Sequence, residues 1–156
     1  MTYFQKVGFF ILMIFLLLLT SILALTQIEI TTLTYESYDE MEKNGGLQSG
    51  WFPVWLPRSV RNIQESHDID TNESWLTFTF SEAEEFYRNV CHPQKKEEVI
   101  LPREKNFSPF PSFIRDMQTK LVSATNLQFF RCDQNIPGFL AINSQDNIAY
   151  FWQLSH

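Results

Sequence analysis

The sequence predicts an α+β fold, in which an N-terminal transmembrane helix precedes one domain with an antiparallel sheet of about five strands and two to three helices on one face. Three observations support this prediction. The chain has 156 residues, enough for one ordinary domain with an apolar core. One long uncharged run lies at the N-terminus. The remainder alternates between short β-branched or aromatic segments and segments of helical periodicity, as expected for helices packed on an antiparallel sheet.

The N-terminal run, residues 7–25, contains no charged side chain. Its 19 residues would extend about 28 Å as a helix, close to the thickness of about 30 Å of a hydrocarbon core. Lys6 precedes the run and the first charges after it are acidic, which places the following domain outside the cytoplasm. We therefore expect residues 1–25 to be a single-pass anchor in the cell membrane. A signal peptide cleaved after Ala24 is the alternative, and it exports the domain equally.

Residues 26–50 are predicted to form a tether and a short helix. Residues 26–33 are rich in β-branched side chains, which suit a short strand or a tether leaving the membrane. Residues 35–44 place apolar side chains at helical spacing and are followed by two glycines, a signal for a helix end. The exported α+β domain then occupies residues 51–156.

A β-hairpin is predicted from residues 63–67 and 75–80, because both segments suit strands and a polar stretch separates them. Ser81 and Glu84 have the spacing of a capping box, in which each side chain binds the backbone of the other. Apolar residues at helical spacing follow, so the sequence predicts a helix that ends near Cys91.

The C-terminal part is predicted to contain a surface loop, one helix and three strands. Residues 94–110 are polar and interrupted by prolines, which favours a loop. A helix is expected to begin at Ser112, with Ile114, Met117 and Leu121 facing the core. The three strands are predicted at residues 127–132, 139–143 and 148–154.

Cys91 and Cys132 are the only cysteines of the chain. In an exported domain an isolated pair favours a disulfide, and two thiols cannot complete a tetrahedral zinc shell. The bridge would join the predicted helix end to a strand. Two buried reduced thiols are the alternative.

The most polar cluster is the stretch from His67 to Asn72. A metal or catalytic loop would use His67, Asp68 and Asp70, but the stretch lacks the glycine and the full set of oxygen ligands of a calcium loop. The favoured interpretation is a hairpin turn stabilised by Asp70 and Asn72 through nearby backbone amides. We therefore predict no metal, no cofactor and no catalytic residue.

An aromatic and proline-rich stretch begins at residue 51. Trp51, Phe52 and Trp55 can be explained by core packing, since such side chains bury large areas. They can also form an exposed patch that binds a partner. We retain them, together with His67, Asp68, Asp70 and Asn72, as candidate binding residues.

The pattern Gly50-Trp51-x-Pro53-x-Trp55-Leu56-Pro57-x-Ser59 precedes Ile63, Glu65 and the stretch from His67 to Asn72, and Trp75-Leu76-x-Phe78 follows. With Tyr35 and Tyr38, this pattern resembles a group of small uncharacterised bacterial proteins that carry a signal or anchor segment and one exported domain. The resemblance covers about residues 35–80 and implies a place in the cell envelope. It implies no activity.

The charge of the chain argues against nucleic-acid binding, and three other classes of function stay open. A net charge of −6 makes binding to nucleic-acid phosphates unfavourable. We expect a membrane-anchored envelope protein with a non-enzymatic binding or structural role, whose partner is another envelope protein or a wall component. The alternatives are an immunity-type inhibitor of an exported toxin and, less favoured, a small hydrolase that uses the loop from His67 to Asp70.

Overall fold

The computed structural model describes residues 3–25, 30–81, 86–102 and 111–153. The elements in these residues are α1 (Tyr3–Leu25), β1 (Ile30–Ser37), α2 (Tyr38–Lys43), β2 (Arg61–Asp68), β3 (Glu73–Thr79), β4 (Cys91–Gln94), α3 (Ser112–Ser123), β5 (Leu127–Cys132), β6 (Gly138–Asn143) and β7 (Ile148–Gln153). Short 3-10 helices occupy Leu47–Ser49 and Lys96–Glu98.

The seven described strands form one antiparallel sheet in the order β1-β2-β3-β7-β6-β5-β4. Strands β1, β2 and β3 form a first meander, and β4 to β7 form a second. The two meanders meet where β3 pairs with β7, from Ser74 opposite Gln153 to Thr79 opposite Ile148. The outer strands of the sheet are therefore β1 and β4.

The sheet is covered on both faces. On one face, α3 packs Ile114 and Leu121 against a cluster that includes Trp152. On the other face, α2 and residues 51–60 contribute Met41 and Phe52 to a second cluster. Strand β6 is buried at all six positions, as expected for a strand with apolar neighbours on both sides.

The α+β class is confirmed, but the predicted strand number and helix placement are wrong. The sheet has seven strands among the described residues instead of about five. The β-branched run predicted as a strand or tether belongs to β1, which pairs with β2 and continues to Ser37. Helices α2 and α3 cover opposite faces, because the apolar side chains of the central strands point to both sides of the sheet.

The helix predicted to follow Ser81 is not found in its described part. Residues 86–90 form turns, and Cys91 is the first residue of β4. Glu84 lies outside the described residues. The helical spacing of the apolar residues has another explanation, because the ring of Phe86 lies against the rings of Trp55 and Phe78.

Several local predictions are confirmed. Strands β2 and β3 form the predicted hairpin, and α3 begins at Ser112 with its three predicted core residues buried. Strands β5, β6 and β7 lie within one residue of the predicted strands. Leu154 is outside the described residues.

The predicted transmembrane helix is not supported. Residues 3–25 form α1, but in the part of the chain that the structure describes no helix has both the length and the apolar character needed to cross a membrane.

The predicted disulfide between Cys91 and Cys132 is confirmed. The two residues face each other across β4 and β5, with Cα atoms 4.1 Å apart. The bridge therefore joins two strands, whereas the sequence predicted a link between a helix and a strand. Both residues belong to the cluster on the α2 face of the sheet.

Candidate functional site

The candidate polar residues do not form a single loop. His67 and Asp68 are the last two residues of β2, and Asp70 and Asn72 lie in the turn that leads to β3. Because side chains alternate along a strand, His67 and Asp68 point to opposite faces of the sheet. Asp68, one of the two acids that the hydrolase hypothesis assigned to His67, therefore lies on the other face of the sheet.

Asp68 stabilises the turn between β2 and β3. Its Oδ1 accepts hydrogen bonds from the backbone N–H groups of Asp70 (3.0 Å) and Thr71 (3.1 Å). Asn72 has a φ of 57°, in the left-handed region that asparagine tolerates well. The side chain of Asp70 is exposed. Within the described residues, no group of three His, Cys, Asp or Glu side chains is arranged to hold a metal ion.

His67 is paired with Glu65 on the α2 face of the sheet. Its Nδ1 lies 3.0 Å and 3.1 Å from the two carboxyl oxygens of Glu65. Glu65 lies between Leu33 of β1 and Leu76 of β3 and is fully buried. Trp51 covers the pair, because its ring stacks on the imidazole at 4.3 Å with an angle of 5° between the planes.

Burial shifts both groups toward their neutral forms. It raises the pKa of Glu65 to about 8. Burial also lowers the pKa of His67, although the neighbouring charge of Asp68 acts in the opposite direction. A nearby Tyr35 hydroxyl has its pKa raised, first by burial and then by the charges of Glu65 and Glu40. Both shifts therefore favour a carboxylic acid paired with a neutral imidazole at neutral pH.

This protonation state determines what His67 can do chemically. The directions of the two shifts favour an arrangement in which the carboxyl O–H of Glu65 donates to Nδ1 and the hydrogen of the neutral ring is on Nε2. A histidine that serves as the base of a nucleophile through Nε2 needs a free lone pair there, so its ring hydrogen must be on Nδ1. In the favoured arrangement Nε2 carries the ring hydrogen, so it has no lone pair with which to accept a proton.

Ser74 lies directly across from His67 in the β2–β3 pairing and across from Gln153 in the β3–β7 pairing. Only 1% of its surface is exposed, and its hydroxyl has no hydrogen-bond partner among the described residues. Trp51, Glu65, His67 and Ser74 together are called the Trp51 cluster below.

The other candidate aromatic residues are packing residues. Phe52 is 1% exposed and contacts the ring of Tyr35. Trp55 is partly buried between the rings of Phe86 and Phe151. Core packing therefore explains Phe52 fully, while Trp51 and Trp55 each keep a partly exposed edge.

A separate cavity of about 920 Å³ lies between the β4–β5 pair and the C-terminal end of α3. Phe129, Phe130 and Tyr87 line it, together with Lys96. The Lys96 ammonium donates to the backbone carbonyl of Val122 at 2.9 Å, so it also stabilises the end of α3. Apart from Cys91, the cavity contains none of the predicted site residues.

Two residues of the Trp51 cluster are absent from the candidates predicted from the sequence. Glu65 belongs to the resemblance pattern without an assigned role, and Ser74 has no predicted role. The contact between Glu65 and His67 could have been predicted from their spacing, because residues two apart on a strand share a face. Ser74 could not be found in this way, because its place opposite His67 depends on the register of the hairpin.

Residues 29–79 match the YbbD head domain family. The match covers a third of the chain, from the start of β1 to the end of β3, and it contains the whole Trp51 cluster. No curated protein and no solved structure matches the chain.

Proposed function

We propose that this is a non-enzymatic protein of the cell envelope, whose domain lies outside the cytoplasm and binds another envelope protein. The observation that carries the proposal is the internal pairing of its most reactive side chains. Glu65 and His67 bind each other under Trp51, and Asp68 binds the backbone of its own turn. These contacts support a rigid scaffold for recognition.

The disulfide supports a location outside the cytoplasm. Cys91 and Cys132 are 3% and 0% exposed, so the bridge is part of the folded domain. Disulfides of this kind persist in oxidising compartments and are rare in the cytosol.

The surface of α1 supports attachment to a membrane through residues 7–25. Every described side chain from residue 8 to residue 20 is exposed, and Phe9, Phe15 and Leu17 are each about 60% exposed. Exposed apolar surface of this extent is typical of sites that contact a membrane or a protein. The proposal requires only that α1 contacts the membrane surface, and it does not require α1 to cross the membrane.

Location is tested with alkaline phosphatase fused after residue 156, because this reporter is active only outside the cytoplasm. We expect an active fusion from the full chain and an inactive one when residues 1–25 are deleted. A full-length fusion that is inactive although the protein is present would refute export.

Binding is tested by crosslinking in intact cells followed by purification under denaturing conditions. We expect one envelope protein to be captured in a fixed ratio, and a captured toxin would identify the immunity-type function. Recovery of the chain alone at every crosslinker concentration would refute the binding proposal.

Hydrolysis is the second candidate. The buried hydroxyl of Ser74 has no hydrogen-bond partner among the described residues, and it lies opposite His67, which is hydrogen-bonded to the carboxyl group of Glu65. The protonation of His67 and the burial of Ser74 argue against it. A fluorophosphonate probe decides between the two candidates. Labelling of the wild-type chain that Ser74→Ala abolishes would establish a nucleophile, and we expect no labelling.

A further inference from the structure

The two outer strands of the sheet differ in how they are protected. Strand β4 has four residues, contains Pro93 and is held by the disulfide. Strand β1 has eight residues and pairs with β2 without interruption from Ile30 to Tyr35. Natural proteins protect sheet edges with short strands, prolines, bulges or charges. None of these devices occurs in β1 before Glu36.

One hydrogen bond shows which backbone groups of β1 face outward. The N–H of Glu36 donates to Oε2 of Glu40 at 2.7 Å, so it points away from β2. Alternate residues of an antiparallel strand direct their N–H and C=O groups to the same side. The backbone groups of Thr32 and Thr34 therefore also face outward, and no described strand pairs with them.

We propose that the outer edge of β1 binds an extended segment of the partner protein, which adds a strand through the backbone of Thr32 and Thr34 and carries Lys or Arg opposite Glu36. The inference rests on the proposed binding function and specifies the chemistry of the partner. Strand addition gains affinity from main-chain hydrogen bonds, while side chains at alternate positions provide selectivity.

Charge favours a basic segment over a second copy of this chain. An antiparallel pair of β1 strands centred on Leu33 would place Ile30 of one copy opposite Glu36 of the other, so it would leave Glu36 without a basic partner. The chain as a whole also carries a net charge of −6.

The edge is tested with the full chain in detergent micelles and two synthetic peptides of alternating Thr and Val. One peptide carries Lys at both ends, and the other carries Glu. Thr34→Pro removes an outward N–H and leaves the β1–β2 hydrogen bonds in place, as is usual for proline on an edge strand. Thr34→Val keeps the N–H and the branched shape, so it is the matched control.

We expect the Lys peptide to bind the wild type and Thr34→Val, and to bind Thr34→Pro at least about tenfold more weakly. The Glu peptide should not bind. Failure of the Lys peptide to bind would overturn the proposal, as would equal binding by the two residue-34 variants. A dimer that forms with Thr34→Val but not with Thr34→Pro would show that a second copy of this chain binds the edge, and it would overturn the proposal of a basic partner segment.

Amide hydrogen exchange gives a second measurement that needs no variant. In the free protein the N–H groups of Thr32 and Thr34 should exchange faster than those of Leu33 and Tyr35, and the Lys peptide should slow them. Protection of Thr32 and Thr34 in the free protein would show that the chain covers its own edge and would overturn the inference. Partner capture in cells that persists in Thr34→Pro would overturn the inference while supporting the proposed function.

Discussion

Replacing Glu65 with glutamine should reduce the dependence of stability on pH. Burial raises the pKa of Glu65 from 4.5 to about 8, so the folded protein keeps the proton over a range in which the unfolded chain releases it. The stability that this carboxyl group contributes is therefore fully present below pH 4.5 and is lost as the pH rises to about 8. The amide that replaces the carboxyl group in Glu65→Gln has no proton to release, and it can donate an N–H to Nδ1 of His67.

The structure sets the size and the sign of the expected effect. One pKa unit corresponds to about 1.4 kcal/mol, so three units between pH 5 and pH 8 give an upper limit of about 4 kcal/mol. The lowered pKa of His67 acts in the opposite direction, because its contribution to stability increases as the pH rises toward 6.5. Because His67 contacts the substituted group, the difference between the two proteins reports the Glu65–His67 pair as a unit.

Urea unfolding followed by tryptophan fluorescence measures this difference at pH 5, 6.5 and 8. The free energy of unfolding of Glu65→Gln, minus that of the wild type, should increase with pH by up to about 4 kcal/mol. Glu97→Gln makes the same side-chain substitution at an exposed position and should show no such increase. If Glu65→Gln and the wild type respond to pH in parallel, the carboxyl group is ionised in the folded state and the assigned protonation is wrong.

Three further predictions concern the disulfide, a glycine and the tryptophan cover. Replacing Cys91 and Cys132 with Ala opens a loop with a sequence separation of 41 and should lower the free energy of unfolding by up to about 4 kcal/mol, measured against the oxidised wild type in urea. An unchanged unfolding midpoint would contradict this prediction. Gly138→Ala would place a Cβ 2.5 Å from the carbonyl oxygen of Trp152, so we expect a loss of about 1–3 kcal/mol, and a loss below about 0.5 kcal/mol would show that the backbone adapts. Trp51→Ala should expose the imidazole of His67 and raise its pKa toward 6.5, as followed by NMR titration of the ring protons. No change in that pKa would mean that Trp51 contributes little to the burial of His67.

Elements with strong local signals could be predicted from the sequence. Helix α3 buries Ile114, Met117 and Leu121, which recur at helical spacing, and β5 to β7 are separated by polar turns. The prediction of a helix ending near Cys91 is wrong because distant residues determine the structure there. Cys91 pairs with Cys132 in the sheet, and this non-local pairing outweighs the helical periodicity of the preceding residues.

The Trp51 cluster was predictable only in part. Trp51 and His67 are candidates from the sequence, but their contact joins a proline-rich segment to a strand, and spacing in the sequence does not specify such a contact. Glu65 would be expected on an exposed position, since carboxyl groups are rarely buried without a partner. The partner is His67, and the free energy of burying both groups depends on the cover that Trp51 provides.

The junction between the two meanders has a consequence for how the sheet is assembled. In two hairpins the partners next to the turn, Asp68 with Glu73 and Asn143 with Ile148, are only five positions apart, whereas the residues paired between β3 and β7 are 69 to 79 positions apart. Contacts of high sequence separation are slow to form, so the β3–β7 pairing is the step expected to limit folding. The similarity to the YbbD head domain ends at residue 79, the last residue of β3. A protein that shares only this first meander must therefore cover the open edge of β3 with a strand or segment of its own.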